Sequence, residues 1–100
     1  MNYNIKFHDD AKKDLESFDK SVKILIFKQI KKISENPEFG ELLGNKKGMD
    51  LTGMRKIYVM KKKIRIVYQI IDSELVVFVI SIGKRDKGVV YEVAFNRITN

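Results

Sequence analysis

Apolar and polar residues alternate at the start of the chain: Tyr3, Ile5 and Phe7 are separated by Asn4 and Lys6, a short strand pattern. The period then lengthens. Ala11, Leu15 and Phe18 recur at helical spacing after Asp9 and Asp10, either of which can cap a helix. The Asp19-Lys20-Ser21 break leads into a second helix with Val22, Leu25, Ile26, Gln29, Ile30 and Ile33 on one face. Pro37 ends it near Asn36, because proline disfavours helical geometry in the residue before it. Gly40, Gly44, Gly48 and Gly53 punctuate residues 39–53 as an irregular stretch. Strand patterns follow at 54–60, 64–71 and 75–82, separated by the lysine run Lys61-Lys62-Lys63 and by Asp72-Ser73-Glu74, and they read as a meander. The last of them, LVVFVISI, is almost continuously apolar, as expected of a central strand covered on both faces. Residues 89–98 have mixed periodicity and predict a short strand running into a C-terminal helix, with Arg97 near its end where a cation suits the helix dipole.

The predicted fold is α+β: a small single domain over residues 1–100, in β-α-α-β-β-β order with a short C-terminal helix or tail. Its mainly antiparallel sheet packs against the two N-terminal helices. A length of 100 residues, 44% of them hydrophobic and 33% charged, is ordinary for one folded domain and too apolar for disorder. No run of about 18 apolar residues is present, and the N-terminus MNYNIKFHDD lacks the features of a signal peptide. With no cysteine there is no disulfide framework or thiolate metal site. The expectation is a cytoplasmic protein without membrane contact.

Charge changes this picture from a generic domain to a polyanion-binding one. The net charge is +7, and residues 1–50 hold ten basic against nine acidic side chains whereas residues 51–100 hold ten against four. Lys56, Arg65, Lys84, Arg85 and Lys87 cluster around strand ends, where like charges repel and each needs water or an anion. A nucleic-acid backbone supplies such anions. The inventory excludes several chemistries. His8 is the only histidine, so no imidazole pair exists, and at a strand end it reads as a surface residue. Asp9, Asp10, Asp14 and Asp19 read as caps and solvated charges, with no metal-ligand spacing among them, so neither a metal nor another cofactor is expected. Gly83-Lys84-Arg85 lacks the glycine-rich loop and following hydroxyl of a nucleotide-phosphate cradle.

What remains is metal-free chemistry on a phosphodiester by lysine, arginine and tyrosine. RNA carries its own nucleophile in the 2′-OH, and cations beside the phosphate stabilise the developing charge. A lysine next to another cation has its pKa lowered and can exchange protons near neutral pH, whereas arginine stays charged and clamps phosphate oxygens. A hairpin turn with an even number of residues sets Tyr58 opposite Arg65 and Lys56 opposite Val67, so that Lys56, Tyr58 and Arg65 share one face. A one-residue slip would move Arg65 to the other face. Arg85 and Tyr91 must reach that face from the segment after the last strand. Tyr68 and Phe78 are assigned to packing.

Over RIVYQIID, VVFVISIGKRD and VVY the chain resembles the RelE toxins of bacterial and archaeal toxin–antitoxin systems, and the helix pair and strand order extend the resemblance along nearly the whole chain. The resemblance implies a ribosome-dependent, metal-independent messenger RNA endoribonuclease acting by 2′-OH attack in the decoding site. Its implied partners are the ribosome, messenger RNA and a RelB-like antitoxin, with the toxin monomeric or held in the toxin–antitoxin complex. Lys56 falls on a family lysine, Arg65 on the arginine opening the next strand, Arg85 on the arginine of the GKR segment and Tyr91 on the tyrosine of the C-terminal tail. These four are the implied catalytic residues. The family's second lysine is Tyr58 here, which becomes a candidate for catalysis or stacking, while Arg55, Lys61, Lys62, Lys63, Lys84 and Lys87 are expected to bind RNA. The related ParE branch implies the alternative, a toxin that inhibits DNA gyrase without cutting nucleic acid.

Overall fold

Side chains at the helix boundaries account for where the N-terminal helices begin. In the computed structural model, which describes residues 2–46, 48–84 and 89–99, β1 (Asn4–Phe7) leads into α1 (Asp9–Glu16) and α2 (Lys20–Glu35). His8 caps α1, its Nδ1 accepting the Asp10 N–H at 3.1 Å, so Asp9 and Asp10 lie in the first turn rather than at the cap. Asp19 caps α2 by accepting the Val22 N–H at 3.0 Å. Asn36 has left helical geometry at φ −141°, as Pro37 requires. Ile26, Ile30 and Ile33 form the buried face of α2, but Leu25 is 39% exposed. It lies about 100° around the helix from Ile26, too far to share that face.

Four strands follow: β2 (Glu41–Lys46), β3 (Met49–Val59), β4 (Ile64–Ile71) and β5 (Val76–Lys84). The sheet order is β1-β5-β4-β3-β2, with β1 parallel to β5 and every other neighbour antiparallel. Thus β2 and the first half of β3 are sheet where the glycine-rich stretch read as irregular. The glycines serve the strand pair: Gly44 takes a left-handed φ of 64° where the β2–β3 register shifts, and Gly53 one of 86° within β3. The final element, α3 (Val89–Thr99), is helical throughout, including the residues that read as a short strand. Burial of Val90, Tyr91 and Ala94, spaced along one side of that helix, overrides the weak helix propensity of its valines.

Helices α1 and α2 cover one face of the sheet, packing on Ile57, Val59, Ile66, Tyr68, Val77 and Val79. On the other face α3 sets Val90, Tyr91 and Ala94 against Met54, Val67 and Ile80. β5 is an interior strand whose apolar run is explained by this double cover. Its pairing with β4 shifts between Val67↔Ser81 and Tyr68↔Val79, a bulge at Ile80. Ser81 beyond it donates from Oγ to the Val90 carbonyl at 3.1 Å, and so ties α3 to the sheet.

Candidate active site

The β3–β4 hairpin decides which side chains meet. Val59 pairs with Ile64 across the turn at 60–63, which places Tyr58 opposite Arg65 and Lys56 opposite Val67. Met60, Lys61 and Lys62 have φ of 56°, 53° and 72°, and the Lys63 N–H donates to the Met60 carbonyl at 3.1 Å. Left-handed turns of this kind match the right-handed twist of paired strands. The even turn therefore brings Lys56, Tyr58 and Arg65 to the α3 side of the sheet, and Tyr91 joins them from the first turn of α3 rather than from a tail.

There the cations and phenols interleave. Lys56 Nζ donates to the Tyr58 hydroxyl at 2.8 Å and lies 5.0 Å from the centre of the Tyr58 ring and 6.0 Å from that of Tyr91. The Arg65 guanidinium sits 5.6 Å from the Tyr58 ring and 4.9 Å from the Tyr91 ring, held between two aromatic faces. Such contacts stabilise by about 0.5–2 kcal/mol each, enough to pre-orient a long side chain before any anion arrives. Lys62 reaches within 5.4 Å of the Tyr58 ring from the hairpin turn. Arg65 Nε and the Tyr91 hydroxyl are buried and have no hydrogen-bond partner among the described residues. An unmet buried donor costs about 1–3 kcal/mol.

Proton affinities depart from the expectation for Lys56. Burial pulls its pKa down, but the hydrogen bond to Tyr58 and the phenolate charges of Tyr91 and Tyr58 outweigh burial, and the ammonium is held above its ordinary value. Its closest partners are phenols, not cations, so it does not become a base at neutral pH. For Tyr58 the hydrogen bond from Lys56 lowers the pKa, aided by the charges of Lys56 and Arg65 and opposed by burial and by Glu41. The proton of this pair that moves more easily is the phenol's.

The remaining expected residues separate. Arg55 points to the opposite face and donates from Nη1 to the Gly40 carbonyl at 2.7 Å and the Glu38 carbonyl at 3.1 Å. It is an anchor for the loop before β2, not part of the basic cluster. Lys61 and Lys63 are exposed in the turn, and Lys84 is exposed at the end of β5, opposite Ile64. Arg85 and Lys87 lie outside the described residues. Sequence reasoning missed Glu41, whose carboxylate is 3.4 Å from Lys56 Nζ and whose backbone pairs directly with Lys56 across β2 and β3. Recognising β2 as a strand would have found it. A cavity of about 990 Å³ lies elsewhere, lined by Phe18, Val22, Ile64 and Val90 together with hairpin lysines. It lacks the phenol–guanidinium arrangement and is not the better candidate. Among the described residues no three His, Cys, Asp or Glu side chains gather to hold a metal ion.

Comparison with known proteins gives this geometry a family. Residues 5–88 match the family "ParE toxin of type II toxin-antitoxin system, parDE". The chain is 36% identical to the mRNA interferase toxin RelE of Escherichia coli K12 and equally to the mRNA interferase RelE of Shigella flexneri, each alignment covering 98% of this chain and 99% of the relative. A mutant of the E. coli toxin RelE, solved in the free state, superposes with a TM-score of 0.78 at 34% identity, covering 98% of this chain and 99% of its own. The toxin in the intact E. coli RelBE toxin–antitoxin complex gives 0.71 at 30% identity over 85% of this chain and 99% of its own. With its fold, its length and its sequence all aligned to these proteins, the chain belongs to the RelE family within the RelE/ParE toxins of type II toxin–antitoxin systems.

Proposed function

We propose that the protein is the toxin of a type II toxin–antitoxin pair and cuts messenger RNA on the ribosome. The observation that carries the catalytic assignment is the Lys56–Tyr58–Arg65–Tyr91 cluster, in which Lys56 Nζ holds the Tyr58 hydroxyl at 2.8 Å and the Arg65 guanidinium lies against the Tyr58 and Tyr91 rings. In the proposed reaction the 2′-OH gives up its proton to water as its oxygen attacks phosphorus, the P–O5′ bond breaks, and the products are a 2′,3′-cyclic phosphate and a free 5′-hydroxyl. Arg65 and the ammonium of Lys56 stabilise the charge on the phosphorane oxygens. Tyr58 donates its proton to the departing 5′-oxygen and recovers one from water, while Tyr91, only 7% exposed, holds the Arg65 guanidinium in place with its ring. Arg85 is assigned to charge stabilisation through the family resemblance alone.

No strong general base stands in this cluster, so the ribosome is assigned the task of orienting the 2′-OH for attack. The whole chain acts as one toxin domain, in the cytoplasm where ribosomes and messenger are found; no helix among the described residues is long and apolar enough to cross a membrane. A RelB-like antitoxin, acidic against this basic surface, restrains it, as supported by the relative found in a RelBE complex. The match to the ParE family supports the alternative, a gyrase inhibitor with the same fold. Induced expression followed by mapping of messenger ends, in parallel with a gyrase supercoiling assay, separates the two. Cleaved messengers with unimpaired supercoiling are expected; blocked supercoiling with intact messengers would select the alternative.

A further inference from the structure

Along β5 the pairing with β1 stops early. The last paired residues are Phe7 and Val79, and the His8 N–H closes the ladder on the Val79 carbonyl at 2.9 Å. Beyond that point β5 has no strand on this side, and its backbone groups need other partners. Asp14 of α1 and Arg97 of α3 provide them. The Ile82 N–H donates to Asp14 Oδ2 at 3.1 Å, and the Ile80 carbonyl accepts from Arg97 Nη1 at 2.8 Å. The same guanidinium donates to Asp14 Oδ2 at 2.6 Å and to Oδ1 at 3.1 Å. The side chains are only 14% and 22% exposed for Arg97 and Asp14. One ion pair thus replaces the missing strand and joins the helix layers on opposite faces of the sheet.

Helix α3 has few other attachments. Val90, Tyr91 and Ala94 pack its first half, and Ser81 holds the Val90 carbonyl, whereas Ile98 near its end is 40% exposed. In the second half Phe95 is partly buried against the same core, and Arg97 supplies the polar tether. Tyr91, whose ring lies against Arg65, is six residues earlier on the same helix, about 9 Å along its axis.

We propose that Asp14 and Arg97 are positioning residues for the reaction: their clasp around the edge of β5 fixes α3 on the sheet and so sets the Tyr91 ring against Arg65. This builds on the roles proposed above for Arg65 and Tyr91. Removing the guanidinium leaves Asp14 unpaired and the Ile80 carbonyl unmet, which loosens the helix from its C-terminal half. A small displacement of an oriented group lowers the rate of a positioned reaction more than it lowers binding.

Two readouts test the clasp. The first is the NMR resonance of Arg65 Nε–H in the free protein, displaced by the ring currents of Tyr58 and Tyr91; Arg97→Met should remove the part that Tyr91→Ala removes, and Arg97→Lys should retain most of it. The second is single-turnover cleavage on programmed ribosomes. Arg97→Met should slow the wild-type protein by on the order of tenfold at saturating protein, with half-saturation changed by no more than about twofold, and should add nothing in a Tyr91→Ala background. An unmoved Arg65 resonance, or effects of Arg97→Met and Tyr91→Ala that multiply independently, would overturn the clasp. Should Arg97→Met fail to fold, Asp14→Asn, which keeps the shape and loses the charge, takes both measurements with the same expected signs. If Tyr91→Ala leaves cleavage unchanged, Tyr91 has no part in the site, and the Arg65 resonance still judges the clasp.

Discussion

A phenol and an ammonium 2.8 Å apart share their proton affinities, and at Tyr58 and Lys56 this sharing decides the roles. Tyr58 ionises more readily than an ordinary tyrosine and Lys56 less readily than an ordinary lysine. A general acid works only while protonated, and the Tyr58 pKa is below its ordinary value of 10.0, so the cleavage rate should descend on the alkaline side before pH 10 is reached. Tyr58→Phe is expected to lower the single-turnover rate by roughly a hundredfold and to remove that descending limb. An unchanged rate and limb would reduce Tyr58 to a packing residue. The side-chain types and the hairpin register made Lys56, Tyr58 and Arg65 legible from sequence. The direction of the Lys56 shift was not, because it depends on which neighbours make contact: repulsion among cations is implied by composition, whereas contact with the two phenols is a product of the fold.

Among the elements, β2 is the one that the pattern concealed, and it is secured by side chains far away in sequence. The fully buried Tyr68 hydroxyl donates to the Pro37 carbonyl at 2.6 Å and accepts the Gly40 N–H at 2.9 Å, so it seats the chain just before β2. Tyr68 is therefore more than packing. A Cβ at Gly40 would stand 2.5 Å from the Tyr68 hydroxyl and 2.7 Å from the Lys56 carbonyl. Gly40→Ala should destabilise the protein by about 2–3 kcal/mol, through overpacking and the loss of these bonds, as measured by urea unfolding. An effect under about 0.5 kcal/mol would mean that the loop yields freely. Helices with regular apolar spacing were visible in the sequence, although the cap of α1 read as Asp9 or Asp10 and is His8. The edge strand was not, because Gly44 breaks its alternation and Leu42, 63% exposed, carries no core signal.

For the whole molecule, the hairpin lysines and the proposed catalytic cluster occupy neighbouring but separable places. Lys61, Lys62 and Lys63 project from the hairpin tip beside the cluster, with Lys62 alone touching it, through the Tyr58 ring. Replacing all three by alanine should weaken association with programmed ribosomes and reduce the magnitude of the slope of log affinity against log salt by roughly 2, at about 0.7 per lost phosphate contact. The cleavage rate at saturation should fall far less than in Arg65→Ala. A saturating rate lowered as much as by Arg65→Ala would place the lysine run in the chemistry. The α+β fold and the overall polarity of charge were legible because they rest on periodicity and counts. The clasp of Asp14 and Arg97 was not, since it joins residues 83 positions apart at an edge defined only by where β1 stops.

Cleavage of a defined messenger by the purified protein, with and without programmed ribosomes, tests the central claim most directly when the ends of the fragments are identified. Cleavage is expected only with ribosomes, with fragments ending in 2′,3′-cyclic phosphate and beginning with 5′-hydroxyl, and with a loss on the order of a hundredfold or more in Arg65→Ala. Equal cleavage of the naked messenger, fragments bearing 5′-phosphate, or full activity in Arg65→Ala would contradict it.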